Sequence, residues 1–232
     1  LISFKKVAVL AGEGTSSLSF GEIWHFFEKE LMYPINVINS RNLNSVNLKN
    51  YNVLILPSRF YASQNQFEKL NDFVKNGGTL ITIGSSINNF IGKKGYTIKR
   101  KTSETKTETK KPYNEQTRNQ IENSITGSIF NSTIDITHPL GFGYTNTYYS
   151  LKLNATSYEL LKNGNNIGYF PENSKNISGF AGYKALKNVP NSLLFGSENV
   201  GRGQVIYMVD NPLFRGFWEN GKLFFANAVF LN

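Results

Sequence analysis

Two apolar runs with an amphipathic stretch between them set the frame for the whole chain. Val53 to Leu56 is closed by Pro57, and Leu80 to Ile83 is bracketed by Gly77, Gly78 and Gly84. Neither run alternates between apolar and polar residues, as strands do when only one face is covered. Both suit strands covered on two faces, as in a parallel sheet flanked by helices. Between them Ser63 and Gln66 have the spacing of a capping box, Phe67, Leu70 and Val74 share one helical face, and Gly77 supplies a left-handed helix end. The stretch predicts a right-handed strand–helix–strand crossover.

The same grammar runs upstream. Val7 to Ala11 reads as a strand, Ser19 and Glu22 as a second capping box, and Phe20, Ile23, Trp24, Phe27 and Leu31 as one helical stripe, followed after Pro34 by a strand from Ile35 to Ile38. Downstream, 113–123 predicts a short polar helix and 135–144 (DITHPLGFGY) an ordered loop packed on the sheet. Strands are predicted at 149–153, 166–170, 192–195 and 204–209, and a closing helix over 218–230. Strand and helix alternation of this kind predicts a single α/β domain over 1–232. Its expected core is an open, doubly wound, mostly parallel sheet of the flavodoxin-like or class I glutamine amidotransferase-like type.

Composition narrows the function classes. The formal charge is +9, yet between Lys93 and Lys111 stand eight Lys or Arg and two Glu, so most of the excess lies in one loop. That loop carries Tyr96 amid Thr, Lys and Glu and lacks the interleaved aromatics of a nucleic-acid groove. It is expected to be a flexible basic insertion, and no nucleic-acid partner is predicted. No apolar run approaches the roughly 20 residues of a membrane span. Cysteine is absent, which excludes disulfides, thiolate nucleophiles and cysteine-ligated metal. The start at Leu1 has neither initiator Met nor signal-peptide layout, so the chain is expected to be a segment of a longer protein.

Several constellations bear on chemistry. Gly12 and Gly14 stand at a strand-to-helix turn but lack the third glycine, or the Lys-Ser/Thr, of a phosphate loop, and Glu13 would repel phosphate. His25, Glu28 and His138 outline a zinc ligand set, yet His25 falls on the solvent side of its helix. Ser85 and Ser86 follow a strand where hydrolase-like sheets place a nucleophile, without G-x-S-x-G and without a base assigned to them. Asp210 and Arg215 flank a turn at the carboxyl edge, where they would pair as a brace, with Phe214 and Trp218 packed beneath the final helix. Glu13, Ser85, Ser86, Asp210 and Arg215 are the candidate ligand edge. No catalytic, cofactor-binding or metal residue is predicted.

KVAVLAGEGTSSLSFGEIWHFFEKEL, NGGTLITIGSS, THPLGFGY, DNPLFRGFW and LFFANAVF resemble, in order, the C-terminal amidotransferase-like domain of bacterial zinc carboxypeptidases of the carboxypeptidase A-like family. The resemblance implies a non-catalytic accessory domain of a secreted or periplasmic metallopeptidase. Its partner would be the peptidase domain of the parent chain, and the zinc would be held there. Two other classes remain open: a carbohydrate- or peptide-binding module, and a hydrolase using a serine at the strand–helix elbow.

Overall fold

From the amino terminus the computed structural model, which describes residues 4–102 and 112–231, runs β1 (Val7–Ala11), α1 (Ser17–His25), β2 (Ile35–Asn39), β3 (Val53–Leu56), α2 (Gln64–Lys75) and β4 (Thr79–Ile83). It continues with α3 (Tyr113–Glu122), β5 (Ile125–Ile134), β6 (Thr147–Lys152), β7 (Asn165–Phe170), β8 (Asn176–Ala181), α4 (Tyr183–Leu186), β9 (Ser192–Val200), β10 (Gly203–Met208) and α5 (Glu219–Phe230). One sheet orders the strands β2-β1-β3-β4-β10-β9-β7-β5-β6, with β8 also on β5. Strands β2, β1, β3, β4 and β10 are mutually parallel, and from β9 onward the pairing is antiparallel. The fold is the expected open α/β sheet, extended by an antiparallel half.

The continuous apolar runs are explained by two-sided cover. Val7, Val9, Val53, Ile55, Ile81, Ile83, Ile206 and Met208 belong to one core with Ile23 and Phe27 of the first helix and Phe224 and Phe225 of α5. The alternate positions Ala8, Leu10, Leu54, Leu56, Leu80, Val205 and Tyr207 belong to a second core with Leu70 and Val74 of α2. The capping box is present, Ser63 Oγ accepting from Gln66 N while Gln66 Oε1 accepts from Ser63 N at 2.9 Å.

Three expectations change. The first helix is capped by Ser16, whose Oγ accepts from Ser19 N, so Ser19 and Glu22 form no capping box. Beyond His25 that helix widens into a π turn, Phe26–Leu31, which adds a residue per turn. Phe26 is thereby buried, while Leu31 and also Trp24 stay partly exposed.

The basic stretch is not uniformly a flexible loop. Tyr96 and Ile98 are buried, Tyr96 Oη donates to Asn71 Oδ1 at 3.0 Å, and Thr97 N donates to the buried Glu198 at 2.7 Å. Tyr207 Oη donates to the other Glu198 oxygen at 2.7 Å. A sequence window sees Thr and Lys here, and misses a carboxylate a hundred residues away that binds the backbone. Residues 103–111, the rest of the predicted loop, lie outside the described residues.

Candidate functional site at the carboxyl edge

A cleft of about 190 Å³ opens beyond the carboxyl ends of β3, β4 and β10, where open α/β sheets place their ligands. Its polar lining comes from Ser16, Ser19 and Glu22 at the start of α1, from Ser58 after β3, and from Asn154, Asp210 and Asn211. Leu18, Leu153 and Phe214 form its apolar rim.

Glu22 closes one wall. Its carboxylate accepts from Arg215 N at 2.8 Å and from Asn211 Nδ2, tying α1 to the loop after β10. Burial raises its pKa above the ordinary carboxylate range, opposed by these two hydrogen bonds. Arg215 has a left-handed backbone (φ 51), and so does Arg59 after β3 (φ 73). Such strain in non-glycine residues persists where surrounding bonds fix it. Arg215 is held by Glu22, and Arg59 N donates to Ser85 Oγ at 2.9 Å.

Each predicted edge residue is therefore committed to the chain. Ser85 Oγ also lies 3.2 Å from Ser58 Oγ. Ser86 is fully buried and its Oγ accepts from Ile83 N at 3.0 Å, with its own hydroxyl directed at the Ile83 or Leu56 carbonyl. Glu13 stands outside the cleft in an exposed pair with Arg41. The Gly12–Thr15 segment is a tight turn, Thr15 N donating to Gly12 O at 3.2 Å.

The Asp210–Arg215 brace is not formed. Asp210 pairs instead with Lys152 at 3.3 Å and accepts from Ser150 Oγ at 2.8 Å. Lys152 is wholly enclosed and also donates to Thr156 O at 2.8 Å. Phe214 packs edge-on against Phe217, ring centroids 5.8 Å apart. Local spacing favoured Arg215; the antiparallel half of the sheet brings β6 across to supply a different cation.

His25 is half-exposed, 3.3 Å from Glu30 Oε1. His138 lies in the 135–144 loop, where its Nδ1 accepts from Leu140 N at 3.2 Å and burial depresses its pKa against the pull of Asp135. Among the described residues no group of three or more His, Asp and Glu is arranged to hold a metal ion, and no hydrogen bond joins a histidine to Ser85 or Ser86. Sequence reasoning took Glu22 for a cap and did not single out Ser58, Asn211, Ser150 or Lys152 as part of this edge; of these four only Asn211, before Pro212, carried a signal, as a turn former.

Residues 24–89 match the family model described as the beta-galactosidase trimerisation domain. No curated protein matches the sequence. Among solved structures, a ThuA-like protein from Parabacteroides merdae superposes with a TM-score of 0.62 at 9% identity, over 97% of this chain and 89% of that one. A second ThuA-like protein, from Bacteroides uniformis, gives 0.56 at 12% identity, over 98% and 90%. The beta-galactosidase of Bacillus circulans sp. alkalophilus gives 0.57 at 13% identity over 97% of this chain, which spans only 31% of that enzyme. These likenesses establish the fold.

They also correct the resemblance to zinc carboxypeptidases: the family model that matches is the beta-galactosidase domain, and nothing indicates a metallopeptidase. The two most telling stretches of that resemblance do structural work in this fold. In THPLGFGY, His138 caps a turn and the Leu140 and Phe142 carbonyls accept from Asn227 Nδ2; in DNPLFRGFW, Asp210 neutralises Lys152. The expectation of a secreted or periplasmic location rested on that resemblance alone.

Proposed function

We propose that this chain is a non-catalytic accessory domain that assembles copies of its parent protein, standing beside a catalytic domain of the glycoside hydrolase kind. The observation that carries the reading is the state of the carboxyl edge. Ser85 and Glu22 hold strained backbone, Ser86 is enclosed, and Asp210 pairs with a buried lysine, so among the described residues of this edge no nucleophile is paired with a base. The match of residues 24–89 to a trimerisation domain supports the assembly role. The small share of the Bacillus enzyme that the fold spans supports a parent chain with a further domain.

A fusion tests this. A monomeric carrier joined to the 232-residue chain is expected to acquire a trimeric mass by light scattering, and a carrier that stays monomeric contradicts the reading.

A second reading, a module binding a carbohydrate or peptide, is favoured by the cleft itself, whose Leu18, Leu153 and Phe214 rim surrounds hydroxyl and amide groups. Saturable binding of such a ligand that is lost on Leu18→Asp would support it.

A further inference from the structure

Resting on the assembly reading, we propose that the apolar surface along the free edge of β2 and the outer side of α1 and its π turn is where a second copy of this chain docks.

Among the described residues, strand β2 ends the sheet and pairs only with β1. Its sequence, Ile35-Asn36-Val37-Ile38-Asn39, contains no charge and no proline, the devices by which exposed edges are usually kept from pairing with other chains. Register sets Val37 opposite Val9, on the sheet face that α1 covers. Val9 is fully buried there, while Val37 remains 52% exposed, so the cover stops short of the edge strand.

The chain just before β2 adds to the same border. Met32, in the turn between the π helix and the strand, is 85% exposed, and Trp24 and Leu31 are partly exposed on the helix. Phe4, itself exposed, stacks on Tyr33 with ring centroids 5.3 Å apart. Single exposed apolar side chains are ordinary, but Leu31 and Met32 lead directly into an unprotected edge strand that itself carries the exposed Val37, and such a concentration marks an interaction surface.

The occupant follows from where this surface lies. Trp24, Leu31, Met32 and Val37 all fall inside the segment that matches the trimerisation domain. A closed threefold ring joins two different surfaces of neighbouring copies, whereas an edge strand meeting its own twin gives a twofold dimer. The β2 border of one copy therefore meets another face of the next.

Met32 offers a clean test because its backbone is left-handed (φ 49), a conformation that Asn tolerates better than Met. Met32→Asn should fold as well as the parent while removing the most exposed apolar side chain of the border. Combining it with Val37→Lys places a charge on the edge. Sedimentation velocity of the 232-residue chain and both variants, with thermal melts to verify folding, reads the result. A trimeric parent with folded variants shifted to monomer supports the proposal. A trimeric parent with variants of unchanged mass overturns the docking surface and leaves the assembly reading standing, whereas a monomeric parent overturns both.

Discussion

Lys152 Nζ lies 3.3 Å from Asp210 Oδ1, with both side chains enclosed, although one ends β6 and the other follows β10. The pair joins the antiparallel half of the sheet to the carboxyl edge of the parallel half. Asp210→Ala should cost about 3–5 kcal/mol, because it strands a buried ammonium. Urea unfolding of Asp210→Ala and of the double variant Lys152→Met/Asp210→Leu measures it, and the double variant is expected to recover most of the loss. Equal instability of the two would show that packing, not the charge, governs the site.

Glu198 fixes the docked part of the basic stretch by binding Thr97 N and Tyr207 Oη. Burial and the Glu198 charge push Tyr96 up to about 12, so it stays protonated as a donor at neutral pH. Removing the carboxylate leaves the buried Tyr207 hydroxyl unsatisfied, at about 1–3 kcal/mol, and frees the half-buried Thr97 N–H at a smaller cost. Limited trypsin should cut Glu198→Ala at Lys99, Arg100 and Lys101 well before it cuts those bonds in the parent. Equal rates would show that Glu198 does not hold the segment.

Glu22 sets a pH dependence whose sign is fixed by its raised pKa. The folded state holds the Glu22 proton more tightly than the unfolded state, so this contribution is full below the unfolded value near 4.5 and lost as pH rises through the folded one. Measured against Glu22→Gln, the parent should therefore lose relative stability as pH rises from 4 toward neutrality. A difference that is flat with pH, or that grows in the opposite direction, would contradict the assignment.

Gly221 separates helix propensity from packing. In a helix interior Gly→Ala usually stabilises by about 1 kcal/mol. Here a Cβ would collide with the Pro212 carbonyl and Cα, because α5 packs directly on the loop after β10. Gly221→Ala should instead lower the melting temperature by several degrees, on the order of 2 kcal/mol or more. A stabilised variant would show that this helix–loop contact is looser than described.

The sequence made the parallel half of the fold legible because that half is built from local units. The crossover from Val53 to Ile83 announces itself through its apolar runs, the Ser63 and Gln66 box and Gly77, each read within a few residues. Strand β8 was not legible, since every side chain from Asn176 to Phe180 is exposed and no buried face leaves an alternating trace. Nor was the register of the carboxyl edge. Lys152 reads as a solvent residue until β6 is placed beside Asp210, and Glu22 reads as a cap until the 211–215 loop is seen to fold onto it. Partners set by long-range pairing leave no mark in local spacing.

Sedimentation equilibrium of the 232-residue chain over a wide concentration range decides whether it assembles. A single associating species that approaches three times the chain mass as concentration rises is expected. A chain that fits one monomer mass at every concentration would contradict it.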